Sequence, residues 1–197
     1  MAEQTPNETD RAAEEERYNN ITSALVTVLA ILMGIFNVKD GNIAQAMSQA
    51  QVKAADTWAY YQAKSTKQNI ADNQLQSLLL DQVRSTGAAA DYLSALHERI
   101  ATARQEIERY QKEKEALQQQ AKDWEKTYED LNFRDDQFDM AEAGMGIAIA
   151  MLGISALTRH RWLLLLAIFF GGFGSLLGFA GFFGWEIHPD ILAQWLS

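Results

Sequence analysis

The chain contains no cysteine, so it has no disulfide, no thiolate nucleophile and no cysteine-ligated metal centre. It is short of positive charge, with 17 Lys and Arg against 26 Asp and Glu. That balance excludes the clustered basic surface on which nucleic-acid binding rests. Helix breakers are scarce as well. From Lys39 to Gln137 there is no proline, and after Gly41 the only glycine is Gly87. No Ser-His-Asp set, phosphate-binding glycine loop or zinc motif is present. The histidines make poor ligands: His97 falls on a polar helix face, two arginines flank His160, and Pro189 interrupts Glu186, His188 and Asp190. The chain is expected to be no enzyme and to take no cofactor or metal.

What the chain has instead is uncharged length. Trp162 to Trp185 is a run of 24 residues without a charge, preceded by Thr158, Arg159, His160 and Arg161. At about 1.5 Å per helical residue it reaches across a hydrocarbon core of roughly 30 Å. Residues 20–38 form a second uncharged, mostly apolar run, and residues 138–158 a third, weaker one with Asp139 and Glu142 near its start. Three transmembrane helices are expected, the last two forming a membrane hairpin across a four-residue link. Residues 1–19 are polar and acidic, are expected to be disordered, and lack the basic start of a secretory signal, so the first span reads as a retained anchor. Residues 186–197 form a short tail.

Arg159 and Arg161 favour the cytoplasm for the link between spans two and three, which puts the N-terminus inside and residues 39–137 outside. The flanks of span one, Arg11 and Arg17 against Lys39 and Lys53, barely discriminate, so the inverted orientation stays open.

Residues 39–137 divide at Gly87 into two arms of similar length. Glycine there can end a helix in a left-handed conformation without a Cβ clash. On the return arm apolar residues step by threes and fours from Leu93 through Leu96, Ile100, Ala103 and Ile107 as far as Leu131, a heptad seam with charged residues on the other faces. The outgoing arm keeps the spacing from Met47 to Gln82 but turns polar in its middle, at Lys64 and Gln68. The expected fold is therefore all-α: three transmembrane helices with a long antiparallel coiled-coil hairpin between the first and second. Two continuous helices pairing with other subunits is the alternative.

Lys39-Asp40-Gly41-Asn42-Ile43, Gln45-Ala46-Met47 and the stretch Asp56-Thr57-Trp58-Ala59-Tyr60-Tyr61-Gln62-Ala63-Lys64, just after a first span, resemble an uncharacterised bacterial membrane-protein family. It is known as a domain of unknown function, number four-three-three-seven. The resemblance covers nearly the whole chain and implies a bacterial origin and an envelope location. It brings no reaction and no site residues.

Three candidate sites follow. Trp58, Tyr60, Tyr61 and Lys64 could form a partner-binding face, or pack onto the return arm beside Trp124. Asp135, Asp136, Asp139 and Glu142 could form an acidic collar attractive to cations in an oligomer, or an ordinary interfacial flank. Gly171, Gly174, Gly178, Gly181 and Gly184 recur at threes and fours, as do the small residues Gly146, Ala150 and Gly153 of span two. Such rows let helices approach closely in lipid, the partner being span one, span two or another subunit. Two roles fit this sequence: a homo-oligomeric scaffold or tether in the bacterial inner membrane, with an envelope protein as partner, or an ion-channel or transport-accessory subunit.

Overall fold

The computed structural model describes residues 8–185, with side chains from Arg11 onward; the expectations for residues 1–7 and for the tail 186–197 lie outside these. The described residues form three helices and no strand: α1 Glu8–Arg84, α2 Ala90–Thr158 and α3 Arg161–Phe183. Each contains a stretch long and apolar enough to cross a membrane. The chain divides into two units, one of Met1–Ala46 with Asp130–Ser197 and one of Met47–Glu129.

In the first unit the three helices close on a core of small residues and a few large ones. Phe36 of α1, Phe138, Met145 and Leu152 of α2, and Ala167, Leu177 and Ala180 of α3 are all but fully buried. Outward-facing Ile31, Ile35, Leu165, Phe169 and Phe183 remain exposed, as lipid-facing side chains would be. The link between α2 and α3 is tight. Arg159 takes a left-handed conformation at φ 58° and its N–H reaches the Ser155 carbonyl at 2.7 Å. A non-glycine residue there carries a strain of about 1 kcal/mol. The Arg159 guanidinium pairs with Glu15 of α1, and Tyr18 of α1 shares a hydrogen bond with Ser155.

Those contacts revise the expectation of disorder over residues 1–19, because α1 is helical from Glu8 onward. Ala12, Ala13 and Glu14 to Glu16 are good helix formers, and the apolar helix behind them supplies the nucleus that an isolated segment would lack. Composition alone suggested a solvated tail; the ion pairs of Glu15 with Arg159 and Glu14 with Arg161 tie it down.

In the second unit α1 and α2 run antiparallel in contact. α1 ends at Arg84 and α2 begins at Ala90. Gly87 sits in the turn at φ 103°, where any other residue would be strained, and the Ala88 N–H donates to the Ser85 carbonyl. The heptad residues face inward: Ala50, Ala54, Thr57 and Ala71 on α1 and Leu96, Ile100, Ala103 and Ala121 on α2 are buried. Polar pairs bridge the middle. Lys64 meets Glu113 at 2.5 Å, and Lys114 donates to Gln68 at 3.0 Å while lying over the Tyr61 ring. The two lysines at seam positions thus find partners on the opposite arm, which fixes register where apolar packing thins out.

Candidate functional site

The clearest concentration of chemistry lies in the first unit, where α1 passes α2. Two residues of α1, Asn37 and Asp40, stand one turn apart and so share a face. They meet a face of α2 carrying Asp135, Asp139 and Glu142, spaced at four and three, with Asp136 beside them. The Asn37 amide donates to Glu142 at 2.8 Å. Burial, together with the Asp135 carboxylate and then Asp139 and Glu142, pushes Asp40 up to about 6 from its ordinary 3.8. Burial and Asp135 also raise Asp136.

The cation next to Asp135 in sequence does not neutralise the cluster. Arg134 donates instead to the Gly181 carbonyl at 3.0 and 3.2 Å, at the C-terminus of α3. There its charge also complements the helix dipole. Gln137, fully buried, donates to the Trp185 carbonyl at 3.0 Å. Among the described residues no three carboxylates or histidines converge as a metal ion would require. Chemically, the arrangement can share protons among crowded carboxyls and hold a field attractive to cations.

Of the expected collar, Asp135, Asp136, Asp139 and Glu142 lie together on α2, and Asp40 joins them from α1. Asp40 was missed because it lies far away in sequence. The one local signal was an Asn and an Asp at i, i+3 just past an apolar run.

The aromatic face is divided. The Trp58 indole donates to Glu125 at 2.7 Å and meets Tyr61 edge-on at 5.4 Å. Lys64 lies over Tyr110 of the opposite arm, rather than over the rings of its own helix, and Lys53 over Trp124. Trp58, Tyr61 and Lys64 are thus engaged within the hairpin, while Tyr60 points outward.

The glycine row resolves into two kinds of position. A Cβ on Gly171 would lie 3.0 Å from Leu29, on Gly174 2.8 Å from the Ala141 carbonyl, on Gly178 2.2 Å from the Phe36 ring, and on Gly181 3.1 Å from Phe138. These four receive α1 and α2 of the same chain. Gly184 does not pack in this way. At φ 71° it caps α3 in the left-handed conformation, with its N–H on the Ala180 carbonyl. The small face of span two also differs from the expectation. A Cβ on Gly146 or Gly153 would meet nothing within 4 Å, and the residues that meet α3 are Ala141, Gly144 and Ala148.

The strained carboxyl gives a pH-dependent prediction. Because the folded chain raises the Asp40 pKa, it holds that proton more tightly than the unfolded chain does. Stability therefore declines as pH rises from about 4 through about 6. Asp40→Asn is expected to raise the melting temperature in detergent at pH 8 and to leave it nearly unchanged at pH 4. A two-unit shift corresponds to about 3 kcal/mol, which solvent screening at this partly exposed group reduces to about 1 kcal/mol. An equal effect at both pH values, or a loss at pH 8, would contradict the assignment.

No curated protein and no solved structure matches the chain. The sequence model of one family, described as Domain of unknown function (DUF4337), matches residues 18–184. This span takes in all three apolar stretches, the hairpin and the acidic cluster, and the chain therefore belongs to the DUF4337 family.

Proposed function

We propose that the chain is a non-enzymatic membrane scaffold or tether of the bacterial inner membrane. It is anchored by three spans, assembled as a homo-oligomer, and offers its coiled-coil hairpin as a contact surface for an envelope protein. The N-terminus and Arg159 to Arg161 lie in the cytoplasm and the hairpin in the aqueous phase on the outer side. The observation that carries this reading is the use of side chains in the hairpin. Seam residues such as Ala50, Ala54, Ala71, Leu96, Ile100, Ala103 and Ala121 are buried, and Trp58–Glu125, Lys64–Glu113 and Lys114–Gln68 pair across the arms, which suits a stiff contact element better than a reaction site.

The second reading, a channel or transport-accessory subunit, draws on Asp40, Asp135, Asp136, Asp139 and Glu142 as a ring of negative charge in an oligomer. It loses support from the glycine row, whose grooves are filled by Leu29, Phe36 and Met145 of the same chain. Light scattering of the purified protein in mild detergent separates the two. A dimer or trimer is the expected result. A closed ring of four or more with an axial opening would favour the channel, and a strict monomer would contradict the oligomeric scaffold.

A further inference from the structure

The unit that holds the three apolar stretches carries a cavity and a groove in line between α1 and α3. Arg11, Glu14, Glu15 and Tyr18 of α1, with Arg159 and Arg161, line a cavity of about 190 Å³. Further along, Leu25, Val28 and Leu32 of α1 and Ala167, Ile168 and Gly172 of α3 line an open groove of about 260 Å³, apolar but for Ser175. The two helices run parallel here: Glu15 pairs with Arg159, Leu29 sits against Gly171, and Phe36 against Gly178. On α1, Arg11, Tyr18, Leu25 and Leu32 are each seven residues apart, and on α3 so are Arg161, Ile168 and Ser175. Residues seven apart on a helix differ by only about 20° in direction, so cavity and groove share one face of the pair. Ile21, 45% exposed, continues the apolar strip between them.

Charge and depth say what fills them. The cavity residues come just before the apolar stretches at 20–38 and 162–185, which puts the cavity at headgroup level. The groove runs from Ala167 to Ser175, about 9–21 Å beyond Arg161 at the helical rise. One leaflet of a hydrocarbon core of roughly 30 Å covers about the first 15 Å of that path. Three arginines face two glutamates across the cavity, a positive balance in a chain of net charge −9. Glu15 holds Arg159, but Arg161 stands 3.9 Å from Glu14, beyond hydrogen-bond reach. That pair is largely exposed and weak, so the guanidinium can turn to a phosphate, which accepts two of its N–H groups at once. The N-terminal end of the α3 dipole adds partial positive charge at the same level. A soluble anion would leave the groove unfilled, and a wholly apolar guest would leave the arginines unmatched.

We infer that this face of α1 and α3 binds one phospholipid with an anionic headgroup. Its phosphate lies between Arg11 and Arg161, and one acyl chain lies in the groove over Gly172. In the orientation proposed above, the lipid belongs to the cytoplasmic leaflet. The inference goes beyond the scaffold reading and needs only that the three helices span a membrane. A monomer by light scattering would remove the oligomeric scaffold and leave the lipid site standing.

Native mass spectrometry of the full chain in mild detergent tests it. The probes are long-chain phosphatidylglycerol, long-chain phosphatidylcholine and deacylated glycerophosphoglycerol. One phosphatidylglycerol per chain is expected, bound about tenfold more tightly than phosphatidylcholine, with no binding of the deacylated headgroup at the same concentration. Arg11→Gln together with Arg161→Gln should weaken phosphatidylglycerol about tenfold and leave phosphatidylcholine nearly unchanged. A Cβ on Gly172 would meet nothing within 4 Å, so Gly172→Phe should fill the groove and weaken both lipids about tenfold. Its melting curve without lipid should match that of the unchanged chain. The arginine variant, altered at two exposed side chains, decides the matter even if Gly172→Phe melts lower.

Equal binding of the two lipids, or undiminished phosphatidylglycerol binding in the arginine variant, would overturn the anionic site. A deacylated headgroup that binds as tightly as the lipid would make it a soluble-anion site instead. Unchanged lipid binding in Gly172→Phe would remove the acyl chain from the groove. No bound lipid, with a smaller oligomer in Gly172→Phe, would assign the groove to a span of a second copy.

Discussion

Leucine in place of Gly174 is expected to break the association of α2 with α3. The glycine lies against main chain: a Cβ there would stand 2.8 Å from the Ala141 carbonyl oxygen and 2.9 Å from the Met145 nitrogen. Neither atom can rotate away, so the helices must part. Parting them removes dispersion contacts along the whole crossing, and lipid tails, which pack no better than before, do not replace the lost fit. Overpacking in a core costs about 1–3 kcal/mol when side chains can yield, and the loss here is expected to exceed that range. A melting curve in detergent measures it. Gly172→Leu is the matched control, because a Cβ on Gly172 of the same helix would meet nothing within 4 Å. Helical content in the hairpin should survive in both variants. Equal stability of the two would mean that α2 and α3 do not meet at Gly174.

The second large effect is expected at Gly178, where even a methyl group is too big. An alanine Cβ would fall 2.2 Å from the Phe36 ring. A side chain at an edge could swing aside, but Phe36 is 1% exposed and held between Phe138 at 6.0 Å and Phe179 at 5.3 Å. Gly178→Ala should therefore cost about 2 kcal/mol or more despite its better helix propensity. Phe36→Leu alone, which trims the ring, should cost about 1 kcal/mol. The two together should be more stable than Gly178→Ala alone, a coupling of at least about 1 kcal/mol between residues far apart in sequence. Additive losses in the double variant would show that the ring and the glycine are not in contact.

The two glycines also mark where sequence reading stops. The all-helical class and the three apolar stretches were legible because each stretch exceeds what a soluble helix needs, and charge is missing for its whole length. Which face of each stretch turns inward was not legible. In water an apolar stripe marks the buried side; on a helix apolar on every side no stripe does, and α3 buries Ala167, Gly171 and Gly174 while leaving Leu165 and Phe169 outside. Small residues signal close approach without naming the neighbour. Gly146, Ala150 and Gly153 keep helical spacing as well as Ala141, Gly144 and Ala148 do, yet the latter set meets α3.

Asp40 joins a cluster formed by residues 135–142, and no local spacing could have joined them. The first turns of α1 pair with Arg159 in the α2–α3 link and with Arg161 at the start of α3, far away in sequence. Gly87 was legible for the opposite reason. A lone glycine in a long stretch without proline is a local signal, and its φ of 103° is a local requirement.

The central claim is that a membrane-spanning segment separates the hairpin from the link at Arg159 to Arg161, with the hairpin outside. Single cysteines at His97 and His160 test it directly, in intact cells treated with a membrane-impermeant maleimide. His97 is exposed near the hairpin turn and His160 is exposed between α2 and α3, so either thiol would react if the reagent reached it. The account predicts labelling at residue 97 in intact cells, and at residue 160 only after the membrane is broken. Labelling at 160 but not at 97 would reverse the orientation. Labelling at both in intact cells would contradict the membrane-spanning architecture itself.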